Sequence, residues 1–374
     1  MKTSTASLYQ RSLQIILENQ STSGAYVACP NFPVYRYCWF RDSSFIAYAM
    51  DLAGYHDSAR RFHDWAARAI NQRAEVVIRA VEKSARREPL GAKDTLHTRY
   101  TLEGLDDEGA PGPQGVGMVA WENHQIDGFG AWLWALEQHV KLSGIPPSSA
   151  WMDAADLTSR YLQALWRQPC YDCWEEFPEH VHTYTLAAVY GGLKAYAALS
   201  GNEESAVLKE IHAYILDAGV NDGMFSKAVG LGNIDASLLG LATPFRVVEP
   251  DDPLMIATID CIQTRLLREG GVHRYPEDTY YGGGEWLLLA GWLGWYQVEV
   301  GKSDQAKRLL QWIEEQADAT GEMPEQVPAT LNNANFLAPW VERWGPIAKP
   351  LLWSHAMYVI LVHNLFGDRP GNSK

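Results

Sequence analysis

Cysteine is scarce in this chain: five residues in 374, at Cys29, Cys38, Cys170, Cys173 and Cys261. An odd, sparse set does not make a disulfide framework, so reduced thiols are expected. Cys170 and Cys173 have redox or zinc spacing, but no second pair, no suitably spaced histidine and no βαβ pattern accompanies them. His97, His124, His180, His182 and His355 likewise share no metal-ligand spacing on one helix face, and His355 reads as structural. No apolar run approaches the ~18 residues of a membrane span, and Met1-Lys2-Thr3-Ser4 lacks the apolar core of a secretory signal. A cytoplasmic protein is expected. Basic residues are outnumbered, 31 Lys and Arg against 45 Asp and Glu. A net charge of −14 with no basic run excludes nucleic acid and anionic membrane surfaces as partners and favours neutral substrates.

Aromatic residues are plentiful, with 15 Trp and 18 Tyr. Flat rings suit the apolar faces of sugars as readily as they suit a core. Two acids stand among such rings in Cys173-Trp174-Glu175-Glu176-Phe177-Pro178. Rings strip hydration from a carboxyl and a neighbouring charge raises one pKa further, so one glutamic acid would stay protonated near neutrality. Glycosidic cleavage needs that acid, together with an ionised carboxylate across the sugar ring to handle water. Glu325, in the turn-like Gly321-Glu322-Met323-Pro324-Glu325-Gln326, is the best candidate for the partner. The alternative reading is a solvated pair of helix-start acids and an ordinary loop glutamate.

Helical periodicity dominates the chain. It predicts about twelve helices, near 5–19, 42–53, 56–83, 123–142, 150–166, 183–199, 202–218, 233–241, 252–268, 284–300, 303–318 and 349–365. Alternate helices differ in kind. Asp57–Glu82 and Ser303–Asp318 carry charge on one face, whereas Ala131–Leu136 and Trp286–Trp292 are apolar nearly all round and belong in an interior. That alternation predicts an all-α barrel of six helical hairpins, an (α/α)6 architecture forming one domain over 1–374.

Polar, aromatic connections precede the inner helices: Tyr35–Asp42, Trp121–Gly128, Trp174–Glu176, Leu231–Asp235, Arg274–Trp286 and Trp353–His355. In such a barrel all six converge on one end and line a funnel. Segment 85–120 reads as a long loop on its rim, with a short hairpin around Thr98–Leu102.

These ordered motifs resemble glycoside hydrolase family 15, the glucoamylase family. The likeness runs from Trp39-Phe40-Arg41-Asp42 through His97-Thr98-Arg99-Tyr100, Gln125-Ile126-Asp127-Gly128 and Trp174-Glu175-Glu176. It continues into Arg274-Tyr275-Pro276-Glu277-Asp278, Met323-Pro324-Glu325-Gln326 and Trp353-Ser354-His355. The resemblance implies the six-hairpin barrel, an inverting exo-acting α-glucosidase that releases glucose, and no cofactor or metal. It implies Glu175 as general acid, Glu325 as general base and Glu176 as a substrate-binding neighbour. Arg41 and Asp42 would hold the 4- and 6-hydroxyls of the terminal glucose, Trp121 and Trp174 would pack along the sugar, and Arg274 would bond near the cleavage point. Tyr35, Trp39 and Tyr275 belong to the same sugar-binding segments.

Glu285 stands in Gly-Gly-Gly-Glu-Trp where the family pattern is Asn-Pro-Trp, and Glu122 follows Trp121. Both carboxylates are expected to narrow the mouth, although Glu122 could instead pair with Arg99 or Arg41. Neither an N-terminal β-domain nor a starch-binding module is expected. Short substrates follow, with isomaltose favoured and maltose or trehalose open. Phosphorolysis or epimerisation would need a phosphate cradle or a paired-histidine shuttle, which the sequence does not offer. A sugar-binding barrel without activity is disfavoured by the presence of both acids.

Overall fold

In the computed structural model, which describes residues 5–107, 124–203 and 205–367, the most apolar segments become the inner wall. These are α2 (Phe40–Leu52), α5 (Asp127–Ser143), α7 (Thr183–Ser200), a 3-10 segment at Ala236–Leu241, α10 (Leu287–Glu299) and α13 (Leu352–Phe366). Each packs on the next and α13 closes on α2, completing a ring. The amphipathic helices lie outside: α1 (Thr5–Glu18), α3 (His56–Asn71), α4 (Ala74–Ala85), α6 (Ser149–Leu165), α8 (Ala206–Ala218), α9 (Pro253–Arg265) and α11 (Ser303–Gln316). Inner and outer helices together form an (α/α)6 barrel. Close approach of α5 and α7 requires Gly130, where a Cβ would stand 2.2 Å from the Ala188 carbonyl oxygen.

Local chemistry sets the ends of several helices. The Ser148 hydroxyl accepts from the Trp151 amide at the start of α6, and Asp252 accepts from Leu254 ahead of α9, where Pro253 fills the first turn. Gly144 and Gly201 end α5 and α7 in the left-handed region.

Four expectations need correction. The run expected over 56–83 is two helices, because Arg73 leaves helical geometry (φ −112°, ψ 23°) and uses its guanidinium elsewhere. It donates to the Ala69 and Gly104 carbonyls, pairs with Asp106 and stacks on Tyr100 at 4.2 Å. The eighth element is a six-residue 3-10 segment, and an additional helix, α12 (Leu337–Trp344), lies in a stretch expected to be loop. Finally, Arg99–Tyr100 pairs antiparallel with Cys38–Trp39 and not within its own segment. That pairing ties the rim to the start of α2.

Candidate active site

The inner helices begin at one end of the barrel, and their leading loops enclose a small cavity. Tyr35, Trp39, Arg41, Asp42, Trp174, Glu175, Arg274 and Glu325 all line it. So do Trp286 and Trp353, from two of the connections expected to line the funnel.

Glu175 sits on a tight turn built by Asp172. One oxygen of Asp172 accepts from the Trp174 and Glu176 amides at 2.9 Å, and its carbonyl accepts from the Glu175 amide at 2.9 Å. The turn holds Glu175 at φ 68°, a left-handed conformation that a non-glycine residue adopts only when its surroundings enforce it. Beneath it, the buried Lys227 ammonium bridges Asp172 and Asp235 at 3.0 and 2.9 Å. Asp235 in turn accepts from the Trp174 indole at 3.0 Å. No local pattern marks Lys227 in the sequence; only the fold brings it under the turn.

Glu325 is held from the other side. Its amide donates to the Ala348 carbonyl at 2.9 Å, while the preceding Met323 amide donates to His355 Nε2 at 3.1 Å. The Ser354 hydroxyl donates to the Pro324 carbonyl at 2.9 Å, and the short pairing of Gln326 with Trp286 completes the support. His355, whose Nδ1 lies 3.0 Å from the Ser12 hydroxyl, therefore fixes the loop and has the structural place expected of it.

Two neighbouring aromatics hold one carboxyl each. The Trp39 indole donates to Glu175 Oε1 at 2.5 Å, and the Tyr35 hydroxyl donates to Glu325 Oε1 at 2.9 Å. Their rings meet edge-on at 5.6 Å. Desolvation dominates both acids: it pushes Glu175 up to about 7, against the opposing pull of Arg41, Arg99 and the Trp39 N–H. It pushes Glu325 up to about 8 against Tyr35 and Arg274. Asp42 is raised to about 6 by the same cause, against Arg41.

The cavity wall presents polar atoms with nothing bonded to them. Oε2 of Glu175, Oε2 of Glu325, Nη1 of Arg274 and the indole nitrogens of Trp286 and Trp353 are all buried and without a hydrogen-bond partner, while Nε of Arg41 and Oδ1 of Asp42 face only each other, at 3.4 Å. Buried polar groups are ordinarily satisfied, so this ring of donors and acceptors fits a compact polyhydroxylated ligand. Each guanidinium is fixed from behind. Asp278 holds Arg274 by two bonds at 2.7 and 2.5 Å, and Gln125 and Asp127 hold Arg41 at 3.0 and 3.3 Å.

Glu176 and Tyr275 lie beside the cavity. The Tyr275 hydroxyl donates to Glu176 Oε2 at 2.6 Å, and Arg274 approaches Oε1 at 3.6 Å. Glu285 departs from expectation: it is fully buried, both its oxygens accept from the Thr330 amide at 3.0 and 3.1 Å, and one also takes the Thr330 hydroxyl. With its acceptors consumed it cannot narrow the mouth. Trp121 and Glu122, with positions 108–120 of the rim loop, lie outside the described residues.

The chain resembles known glycosidases throughout its length. It is 40% identical to the isomaltose glucohydrolase of Kribbella flavida over 366 residues, covering 96% of this chain and 92% of that protein. It is 28% identical to the trehalase of Mycobacterium tuberculosis over 74% of this chain and 42% of that longer protein. A solved glycosidase in complex with glucose superposes with a TM-score of 0.91 at 39% identity, covering 98% of both chains. The glucoamylase of Hormoconis resinae, at 15% identity, shares the fold with a TM-score of 0.68 over 98% of this chain and 74% of that one. The model of glycosyl hydrolases family 15 matches residues 3–337, and the chain belongs to that family.

Proposed function

We propose that this glycoside hydrolase removes glucose from the non-reducing end of short α-gluco-oligosaccharides with inversion, and that isomaltose is its preferred substrate. The observation that carries the reading is the pair of buried carboxyls in one cavity, each held through one oxygen by an aromatic donor and each offering the other oxygen free. Glu175 is the general acid: it gives its proton to the glycosidic oxygen as the bond to C1 breaks. Glu325 is the general base: it takes a proton from the water that attacks C1 on the opposite face. Water supplies the new C1 oxygen, the leaving sugar receives the Glu175 proton, and β-glucose results. Arg41 and Asp42 bind hydroxyls of the terminal glucose, Trp174, Trp286 and Trp353 pack along its ring, and Arg274 bonds near the scissile oxygen through Nη1.

In the free cavity desolvation raises both carboxyls. Substrate separates them. A water that donates to the free oxygen of Glu325 favours its charged form, and a glycosidic oxygen that accepts from Glu175 favours its neutral form. The two values then move apart in the productive direction.

The preference for isomaltose rests on the likeness to the Kribbella flavida enzyme, since Glu285 no longer bears on linkage. The buried apolar residues form one continuous cluster, which supports a single domain, and no helix among the described residues is long and apolar enough to cross a membrane. We place the enzyme in the cytoplasm, acting on sugars that are imported or made there. Comparing kcat/KM on isomaltose, maltose, trehalose, their longer homologues and soluble starch tests the substrate reading. Isomaltose should lead; efficiency that rises with chain length to a maximum on starch, or that favours trehalose, refutes it.

A further inference from the structure

At the opposite end of the same helices, three buried side chains that the cavity does not use face one another. Asp51 lies near the end of α2, His63 midway along α3 and His139 near the end of α5. Asp51 is nine residues beyond Asp42, which places it about 14 Å along the helix from the cavity. One oxygen of Asp51 and one ring nitrogen from each histidine lie within 4.8 Å of one another. The histidine rings are 4.9 Å apart, with the edge of Trp151 beside both at 6.0 and 5.5 Å.

His139 Nδ1 and His56 Nδ1 both bond to Asp51, at 2.9 and 2.8 Å. His63 has no such partner. Both of its ring nitrogens, and Nε2 of His139, lack a hydrogen bond although both residues are completely buried. An apolar side chain would fill the place of His63 at less cost than an imidazole with two unbonded nitrogens.

We propose that Asp51, His63 and His139 form a binding site for a divalent transition metal of the zinc class, which clamps α2, α3 and α5 together at the end of the barrel remote from the sugar cavity. Two imidazoles and a carboxylate are a donor set that zinc accepts. Metal–ligand distances near 2.0–2.2 Å bring tetrahedral ligand atoms to about 3.4 Å from one another, so the cluster contracts by about 1.4 Å at most, within reach of side-chain rotation. His56, with its side chain 34% exposed, bonds to the same carboxylate from the solvent side. Sequence spacing hides this site because its ligands come from three helices. The proposal is independent of the glycosidase reading.

The test uses the full chain, stripped with a strong chelator and titrated with Zn²⁺ and with Co²⁺ as a spectroscopic substitute. The expected result is one metal per chain, a raised Tm, and a Co²⁺ absorption band of a low-coordinate nitrogen and oxygen site. His63→Gln and His139→Gln should each weaken binding at least about tenfold, while His180→Gln, on a surface loop, should bind as the unmutated chain does. Should either ligand variant fail to fold, NMR of ring-labelled histidines in the unmutated chain decides: two buried imidazoles shift on adding zinc. Absence of stoichiometric uptake, uptake that survives both ligand substitutions, or buried imidazoles that do not respond would overturn the proposal and leave the cluster a neutral histidine pair.

Discussion

Replacing Trp39 with Phe removes the indole N–H that holds the proposed acid while keeping an aromatic ring in its place. Trp39 is buried, donates to Glu175 Oε1 at 2.5 Å and stands edge-on to Tyr35 and Tyr37, contacts that a phenyl ring largely keeps. The bond favours the ionised form of Glu175 and so opposes the upward push of desolvation. A hydrogen bond to a charged group is worth about 1.5–3 kcal/mol, and one pKa unit is about 1.4 kcal/mol. Trp39→Phe should therefore raise the Glu175 pKa by about one to two units above its starting value near 7. The cleanest assay is carboxyl ¹³C NMR in a Glu325→Gln background, which removes the neighbouring titration. An unchanged or lowered value would refute the reasoning, because it would mean that the indole does not stabilise the charged acid.

The two carboxyls should also be separable by substrate. Glu175→Gln and Glu325→Gln should each lower turnover of isomaltose by about 10²–10⁴. An aryl glucoside whose leaving group needs no proton should restore Glu175→Gln far better than Glu325→Gln, and equal restoration would reverse or void the roles. Stability should carry the cost of the site. Glu325 has its folded pKa raised from 4.5 to about 8, so the folded state is favoured below the unfolded value, and that advantage is lost as pH rises toward 8. Glu325→Gln should accordingly stabilise the fold at pH 8, by on the order of 4 kcal/mol and seen as a raised Tm, and leave the Tm nearly unchanged at pH 4; equal Tm differences at both pH values would contradict this.

The barrel was legible in the sequence because its inner helices carry their burial in composition: α10 and α13 are apolar on every face, a pattern with no surface solution. Glu175 and Glu325 were legible for a related reason, since carboxyls beside rings or in glycine- and proline-marked turns are costly unless used. The break at Arg73 was not, because it depends on carbonyls that a loop some thirty residues later presents to the guanidinium. Glu285 misled for the same reason. Its local context, glycines and a tryptophan at the mouth, suggested a ligand-facing acid, while Thr330, far along the chain, consumes both its oxygens. His63 and His139 escaped notice because their meeting is made by helix packing and leaves no spacing to read.

Stereochemistry bears most directly on the claim that Glu325 activates water and does not itself attack carbon. A proton NMR time course of isomaltose hydrolysis, begun before mutarotation has mixed the anomers, reads it without any variant. The glucose from the non-reducing residue should appear as the β anomer, in excess over the anomeric mixture freed from the reducing residue, and should lose that excess only at the rate of spontaneous mutarotation. If α-glucose were the first anomer from the non-reducing residue, the reaction would be a double displacement through a glycosyl-enzyme intermediate, and the assignment of acid and base would fall.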